Sequence, residues 1–189
     1  MVTILYAHPY AKSFNHAILE SVESKLKSEN KDYEVIDLYA DGFNPAFEAE
    51  SLRLYSKGES ADPLVKKYIE ILLRTDSLFM IFPVWWGMMP AIVKGFFDKV
   101  MLVGTAYTYN DAGALVPDKI NVERTVMFTT SQSPTELFEP FFNEYFKNRV
   151  LDAVGFRNLE WYNCSETSLG SQEHREKFLT LVSTKVLPL

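Results

Sequence analysis

Trp85 and Trp86 stand side by side in a segment bracketed by two prolines, Pro83-Val84-Trp85-Trp86-Gly87-Met88-Met89-Pro90. A flat aromatic ligand needs an apolar wall together with backbone donors and acceptors, and a short loop with a glycine inside it can supply both. One of the two indoles is expected to pack beneath the loop as core, but not both. A second segment reads His8-Pro9-Tyr10-Ala11-Lys12-Ser13-Phe14-Asn15. A helix that starts there presents unpaired N–H groups and a partial positive charge, which favour a phosphate. Ser13 and Asn15 place short side-chain donors beside those N–H groups, and His8 could add another. The plainer reading has Ser13 capping the helix and His8 satisfying backbone groups. A third segment, Thr129-Thr130-Ser131-Gln132-Ser133-Pro134, is small and polar throughout. Its N–H groups could meet the polar edge of a ring, or it could be an ordinary cap ahead of Pro134.

The elements around these segments decide whether they can meet. Val2–Ala7 is a short apolar run of the kind that forms a buried parallel strand. Phe14, Ile18, Leu19, Val22 and Leu26 recur at helical spacing behind it. Tyr33–Tyr39 reads as a second strand, Pro63–Arg74 as a helix and Ser77–Phe82 as a third strand. Pro90 suits the first position of a helix whose apolar stripe is Ile92, Val93, Phe96, Phe97 and Val100. Arg124–Thr129 is a fourth strand. A helical stretch after Pro134 carries Leu137, Phe138, Phe141, Phe142 and Tyr145 as its apolar set. Asn158–Tyr162 is a fifth strand and Gln172–Val186 a closing helix. Asp41–Ala61 and the tyrosine-rich Gly104–Pro117 read as irregular, and long loops of this kind are often functional.

Strands alternating with helices predict a doubly wound five-stranded parallel sheet with helices on both faces. Such sheets bind ligands at the carboxyl ends of their strands. The three segments follow the first, third and fourth strands, so they share one edge. One suits a phosphate and two suit a planar polar ring, and together they point to a flavin nucleotide. A glycine-rich dinucleotide fingerprint and a Gly-x-x-x-x-Gly-Lys loop are both absent, which disfavours a classical NAD-binding fold and a P-loop NTPase.

The chain has 189 residues, 47% hydrophobic and 23% charged, with a net charge of −6. That length fits one domain, residues 1–189. The acidic balance argues against a general nucleic-acid binder. The single cysteine, Cys164, cannot form an internal disulfide, fits a reducing compartment and is read as a packing residue. No segment is long and apolar enough to span a membrane and no signal peptide is visible, so a cytoplasmic location is expected. No metal ligands are assigned.

Four blocks of residues resemble the NAD(P)H:quinone oxidoreductase family, the flavodoxin-like flavin reductases. They are Ala7-His8 with Ser13-Phe14-Asn15; Asp37-Leu38-Tyr39 with Phe43-Asn44-Pro45; Phe82-Pro83 through Trp86 and then Pro90 to Val100; and Ala106-Tyr107-Thr108-Tyr109. The resemblance implies a flavodoxin-like fold and a flavin as cofactor, FAD with FMN as the alternative. His8, Ser13, Phe14 and Asn15 would hold its phosphates. Pro83, Val84, Trp85, Trp86 and Gly87 would line its ring, and Thr129, Thr130, Ser131 and Gln132 would meet the ring's polar edge. Tyr107 and Tyr109 would belong to a substrate pocket reached across a homodimer interface, and Asp98 matches an acidic position near the cofactor. The implied activity is oxidation of NAD(P)H and reduction of a quinone or similar flat acceptor in two half-reactions. The flavin carries the chemistry, and no side chain is assigned as catalytic.

The chain departs from the family pattern in places. Ser131 and Gln132 stand where members often carry glycines. The tyrosine and histidine that better-known members place near the flavin have no counterpart pair, since Tyr145 is present but no histidine precedes His174 in that region. The C-terminal extension of the larger members is not expected. A flavin-loaded regulatory module serving a partner such as an ion-efflux system is the alternative, and an electron carrier without NAD(P)H turnover is another.

Overall fold

A computed structural model describes residues 1–187. Five parallel strands form the central sheet: β1 (Val2–Tyr6), β2 (Tyr33–Asp37), β3 (Ser77–Pro83), β6 (Arg124–Thr130) and β7 (Leu159–Cys164), in the order β2-β1-β3-β6-β7. β1 and β3 are buried along their whole length, β2 and β7 only in part. Apolar runs therefore occupy the middle of the sheet and mixed sequences its edges, as layers of helix on both faces require.

Alternate residues of the strands feed two cores. Ile4, Tyr6, Phe79, Ile81 and Phe128 pack beneath α1 (Phe14–Ser28) and α5 (Gln172–Lys185), where Ile18, Val22, Phe178 and Val182 meet them. Leu5, Leu78, Met80, Phe82 and Met127 face the other layer, which includes α3 (Pro63–Leu72) and α4 (Ala91–Val100). The chain leaves β1 for β2 on one side and crosses to β3 on the other. The loops after β1 and β3 thus diverge and open a crevice at the carboxyl edge.

Three segments differ from their sequence reading. The stretch expected to be irregular between Asp41 and Ala61 contains a short helix, α2 (Ala49–Tyr55). Gly104–Pro117 holds a small antiparallel hairpin of β4 (Tyr107–Tyr109) and β5 (Leu115–Pro117). The helical stretch after Pro134 is a 3₁₀ turn, Thr135–Leu137, followed by a π-helix, Pro140–Leu151. Its buried residues are Phe142, Phe146 and Leu151, spaced for the wider π winding, while Leu137 and Tyr145 are exposed. The change of winding rotates the apolar face away from the one a regular helix would present.

The Asn44-Pro45 segment is pinned to α4. Any Cβ at Gly95 would lie 2.5 Å from the Pro45 carbonyl oxygen, so the close approach depends on glycine. One turn on, the buried Lys99 ammonium donates to the Asn44 carbonyl at 2.8 Å and to Asp62 at 2.9 Å. These contacts fix the path of the chain into α2 and place Tyr55 beside Tyr107.

Candidate functional site

The loops after β1, β3 and β6 converge on one cleft of about 700 Å³. His8, Ser13, Phe14 and Asn15 form one wall, Pro83, Val84 and Trp85 a second, and Thr130, Ser131 and Gln132 a third. Ser13 is the N-cap of α1, its hydroxyl accepting from the His16 N–H at 3.1 Å. The first N–H groups of the helix, those of Phe14 and Asn15, have no carbonyl one turn back and remain for a ligand. Asn15 is buried and its amide donates to Thr130 Oγ1 at 2.8 Å, while its Oδ1 has no partner among the described residues. Turning the amide over lets Thr130 donate to Oδ1 and frees an N–H₂ group, the donor a phosphate needs. These features fit the phosphate end of a nucleotide.

His8 is held neutral. Burial lowers its pKa, and its Nδ1 accepts from the Tyr10 N–H at 3.1 Å, so the proton sits on Nε2. Its ring meets Trp85 edge to face at 6.1 Å.

The loop after β3 is a two-residue hairpin. The Trp85 N–H bonds the Met88 carbonyl at 2.9 Å and the Met88 N–H returns to Trp85 at 3.2 Å. Trp86 and Gly87 both take positive φ, 52° and 78°, the signature of a type I′ turn. Neither indole is core, against expectation: Trp85 is 42% exposed and Trp86 102% exposed. A tight turn that ends at Met88 leaves no room to fold either ring beneath it. Trp85 lines the cleft, whereas Trp86 and Gly87 stand outside its lining, with N–H groups that the hairpin's own bonds do not use.

Thr129 does not reach the cleft. It is fully buried, accepting from Trp161 Nε1 and donating to Asn163 Oδ1, each at 2.8 Å. Being a neighbour of Thr130 on a strand, it points to the opposite face. Asn163 in turn donates to Ser131 Oγ at 2.8 Å, so β7 sets the shape of the loop after β6.

The loop after β7 also enters the cleft, through Thr167 and Ser168, and the first turn of α5 adds Arg175. Sequence reasoning confined to three loops missed it, although Ser165 to Ser171 is rich in serine and threonine. The Thr167 N–H and hydroxyl both donate to the Ser131 carbonyl, at 3.0 Å and 3.1 Å. Arg175 donates from Nη1 to the carbonyls of Thr167 and Gly170, and its other donors have no hydrogen-bond partner among the described residues. Lys12 adds a second cation to the same cleft. Cys164, nearby, is buried, and burial raises its thiol pKa, which keeps it protonated and unreactive.

Tyr107 and Tyr109 line a different space, a groove of about 740 Å³ that shares no lining residue with the cleft. The hairpin stands between the two, Trp85 on the cleft and Met88 on the groove. Asp98 also belongs to the groove rather than the cleft, and is ion-paired with Lys94. The two tyrosines do not both stand in solvent: Tyr107 is buried and only Tyr109 is exposed. The Tyr107 hydroxyl donates to the Tyr55 hydroxyl at 3.1 Å, and burial with that contact pushes its pKa to about 12. Tyr55, Phe47 and Leu52 around α2, and Phe141, Tyr145, Phe146 and Arg149 of the π-helix, complete the groove.

The sequence pattern of the flavodoxin-like fold family matches residues 1–182. The chain belongs to that family. Within it, an uncharacterized NAD(P)H oxidoreductase of Haemophilus influenzae is 24% identical over 188 residues, 96% of this chain and 92% of that protein. NAD(P)H dehydrogenase [quinone] 1 of Rattus norvegicus is 34% identical over 125 residues, 56% of this chain but only 44% of the rat protein. Among solved structures, an NAD(P)H:quinone oxidoreductase from Methanothermobacter marburgensis superposes with a TM-score of 0.82 at 29% identity, covering 98% of this chain and 94% of that one. The five-stranded order β2-β1-β3-β6-β7 is the flavodoxin-like order, with the switch point between β1 and β3. Among the described residues, no helix is long and apolar enough to cross a membrane.

Proposed function

We propose that this flavodoxin-like chain is an NAD(P)H:quinone-type oxidoreductase of the cytoplasm that holds a flavin in the cleft, FAD with FMN as the alternative, and works as a homodimer. The observation that carries the reading is the meeting of a capped helix N-terminus, an orphaned Asn15 amide and an aromatic hairpin in one cleft. The names of the Haemophilus, rat and Methanothermobacter relatives support it. Bound there, a flavin would accept a hydride from NAD(P)H and deliver it to a quinone or similar flat acceptor, in two half-reactions that use the same ring.

The chain's own residues bind and orient. Ser13 shapes the helix start, and the N–H groups of Phe14 and Asn15 take the phosphates, with Lys12 and Arg175 supplying positive charge. Trp85 walls the ring, and the unspent N–H groups of Trp86 and Gly87 offer donors to its polar edge, as do those of the Thr130–Gln132 loop. Tyr107 stays protonated at neutral pH and keeps its hydroxyl on Tyr55, which holds the groove in shape. No proton transfer by a side chain is required.

The test is direct. Purified protein, as isolated or reconstituted, should carry a flavin that heat releases, and should oxidise NADH or NADPH when menadione is supplied. Protein that binds neither FAD nor FMN would overturn the reading. Protein that binds flavin but oxidises neither nucleotide would be an electron carrier or a regulatory module.

A further inference from the structure

We propose that the groove takes an aromatic acceptor bearing an acidic group, and that Arg149 selects it by pairing with that group. The proposal rests on the proposed homodimer, in which the groove of one subunit would face the cleft of the other and serve as the acceptor site, and it adds the class of acceptor. Its walls are aromatic and apolar: Tyr107, Tyr109, Phe141, Phe146, Met88 and Met101. A space of about 740 Å³ suits a fused-ring molecule of two or three rings.

The lining also carries charge. Lys94, Asp98 and Arg149 line the same groove. Lys94 and Asp98 neutralise one another as an i,i+4 pair on α4. Arg149 has no carboxylate partner among the described residues, so the groove keeps one uncompensated positive charge beside an aromatic wall. Tyr145 and Arg149 lie four residues apart on the π-helix and both line the groove, so the guanidinium and a phenol ring belong to the same wall. A guanidinium recognises a carboxylate by two parallel hydrogen bonds, a geometry a surface lysine does not offer. A neutral quinone uses the apolar walls alone; an acidic one uses the walls and Arg149.

The probes are an anthraquinone carboxylate and the corresponding carboxamide, which share ring and shape and differ in charge. Calorimetric binding to flavin-loaded wild-type protein should favour the carboxylate. In Arg149→Met the affinity for the carboxylate should fall about tenfold, a loss expected for one charge-assisted contact, while that for the carboxamide stays within about twofold. Arg149→Lys should recover part of the difference. The ratio of kcat/KM for the two acceptors should move in the same way. Arg149 is exposed, so neither variant should lower the melting temperature, and a folded protein is expected in both cases. An unchanged carboxylate affinity in Arg149→Met would overturn the proposal, as would equal losses for both probes, which would mean that the guanidinium only stacks on the ring. Failure to reduce menadione would instead strike the proposed oxidoreductase activity, and the binding measurements would still decide the role of Arg149.

Discussion

The Asn15 amide donates to the Thr130 hydroxyl at 2.8 Å, joining two loops that lie 115 residues apart in sequence. Asn15 opens α1 and Thr130 ends β6. The bond therefore ties the wall proposed for the phosphates to the wall proposed for the ring. The two residues are buried, and the bond leaves one amide atom of Asn15 without a partner. A buried polar atom without a partner costs about 1–3 kcal/mol, which a ligand in the cleft would relieve.

Asn15→Asp tests that relationship with almost no change of shape. The Thr130 hydroxyl can still donate to a carboxylate, but the carboxylate has no N–H₂ group and adds a negative charge beside the phosphate position. Flavin affinity should fall at least tenfold, about 1.4 kcal/mol or more, with a smaller change in apoprotein melting. An unchanged dissociation constant, measured by fluorescence titration of apoprotein, would remove Asn15 from the site.

Trp86 should prove dispensable to the fold. Its ring is wholly exposed and its backbone sits at φ 52°, a conformation that costs a bulky residue roughly 1–2 kcal/mol. Trp86→Gly should leave apoprotein stability unchanged or raise it by up to about 1 kcal/mol in denaturant titration. Flavin affinity should hold, since glycine keeps the backbone N–H, while turnover should fall because the exposed ring would face the groove of the second subunit. A protein that unfolds on this change would show the ring packed in a way the structure does not contain, and one with full flavin affinity and turnover would leave Trp86 with no role at the cleft.

The sheet was legible because its middle strands are apolar runs and its helices repeat at 3.6 residues. The cleft was legible because capping residues, a double tryptophan and a polar loop each follow a strand directly. What was hidden depended on tertiary context. Trp86 looks like any large apolar residue until the turn type is known. Tyr55 ends a seven-residue helix with no buried residue, so nothing in its pattern announces α2. Arg149 reads as a surface charge until π winding brings it onto the groove. Arg175 follows the cap of the last helix, and only the adjacency of β7 to β6 brings its loop to the cleft.

The Lys99–Asp62 pair should give the fold an acid-sensitive component. Burial alone would raise the Asp62 pKa, but the hydrogen bond from Lys99, the N–H groups of Leu64 and Val65, and the Lys99 charge together hold it below the ordinary range. A carboxylate with a lowered pKa contributes stability that is complete above its unfolded value, about pH 4, and is lost as the pH falls through the folded value. Asp62→Asn should therefore show a shallower loss of stability between about pH 5 and pH 3 than wild type. Lys99→Met should cost about 3 kcal/mol at neutral pH, the low end for a broken buried pair, because the Asp62 side chain keeps 22% exposure. Parallel pH profiles for wild type and Asp62→Asn would show the pair to be energetically idle.

The last prediction concerns the shared site. In one chain the cleft and the groove have no lining residue in common, so Tyr107 and Tyr109 do not reach the ring-facing wall of their own subunit's cleft. Around the groove mouth Leu52, Met88, Tyr109, Leu115 and Tyr145 are exposed, an apolar rim of the kind that marks an interaction surface. Trp86, also exposed, stands on the hairpin between groove and cleft. A twofold axis would set the cleft and hairpin of one subunit against the groove of the other, bury the rim, leave the acceptor's place between them and give each cleft the tyrosines of its neighbour. Wild-type protein should therefore run as a dimer in sedimentation. A Tyr107→Ala/Tyr109→Ala subunit and an Asn15→Asp subunit should each be nearly inactive as homodimers. Mixed, they form a heterodimer in which one site carries both defects and the other carries neither. Random exchange should then restore about a quarter of wild-type activity, since half the dimers are mixed and each has one intact site. Melting curves must first show that the double tyrosine variant folds, because Tyr107 is buried against Tyr55. A verified heterodimer that recovers nothing, or a fully active monomer, would refute the shared site and return both tyrosines to their own subunit.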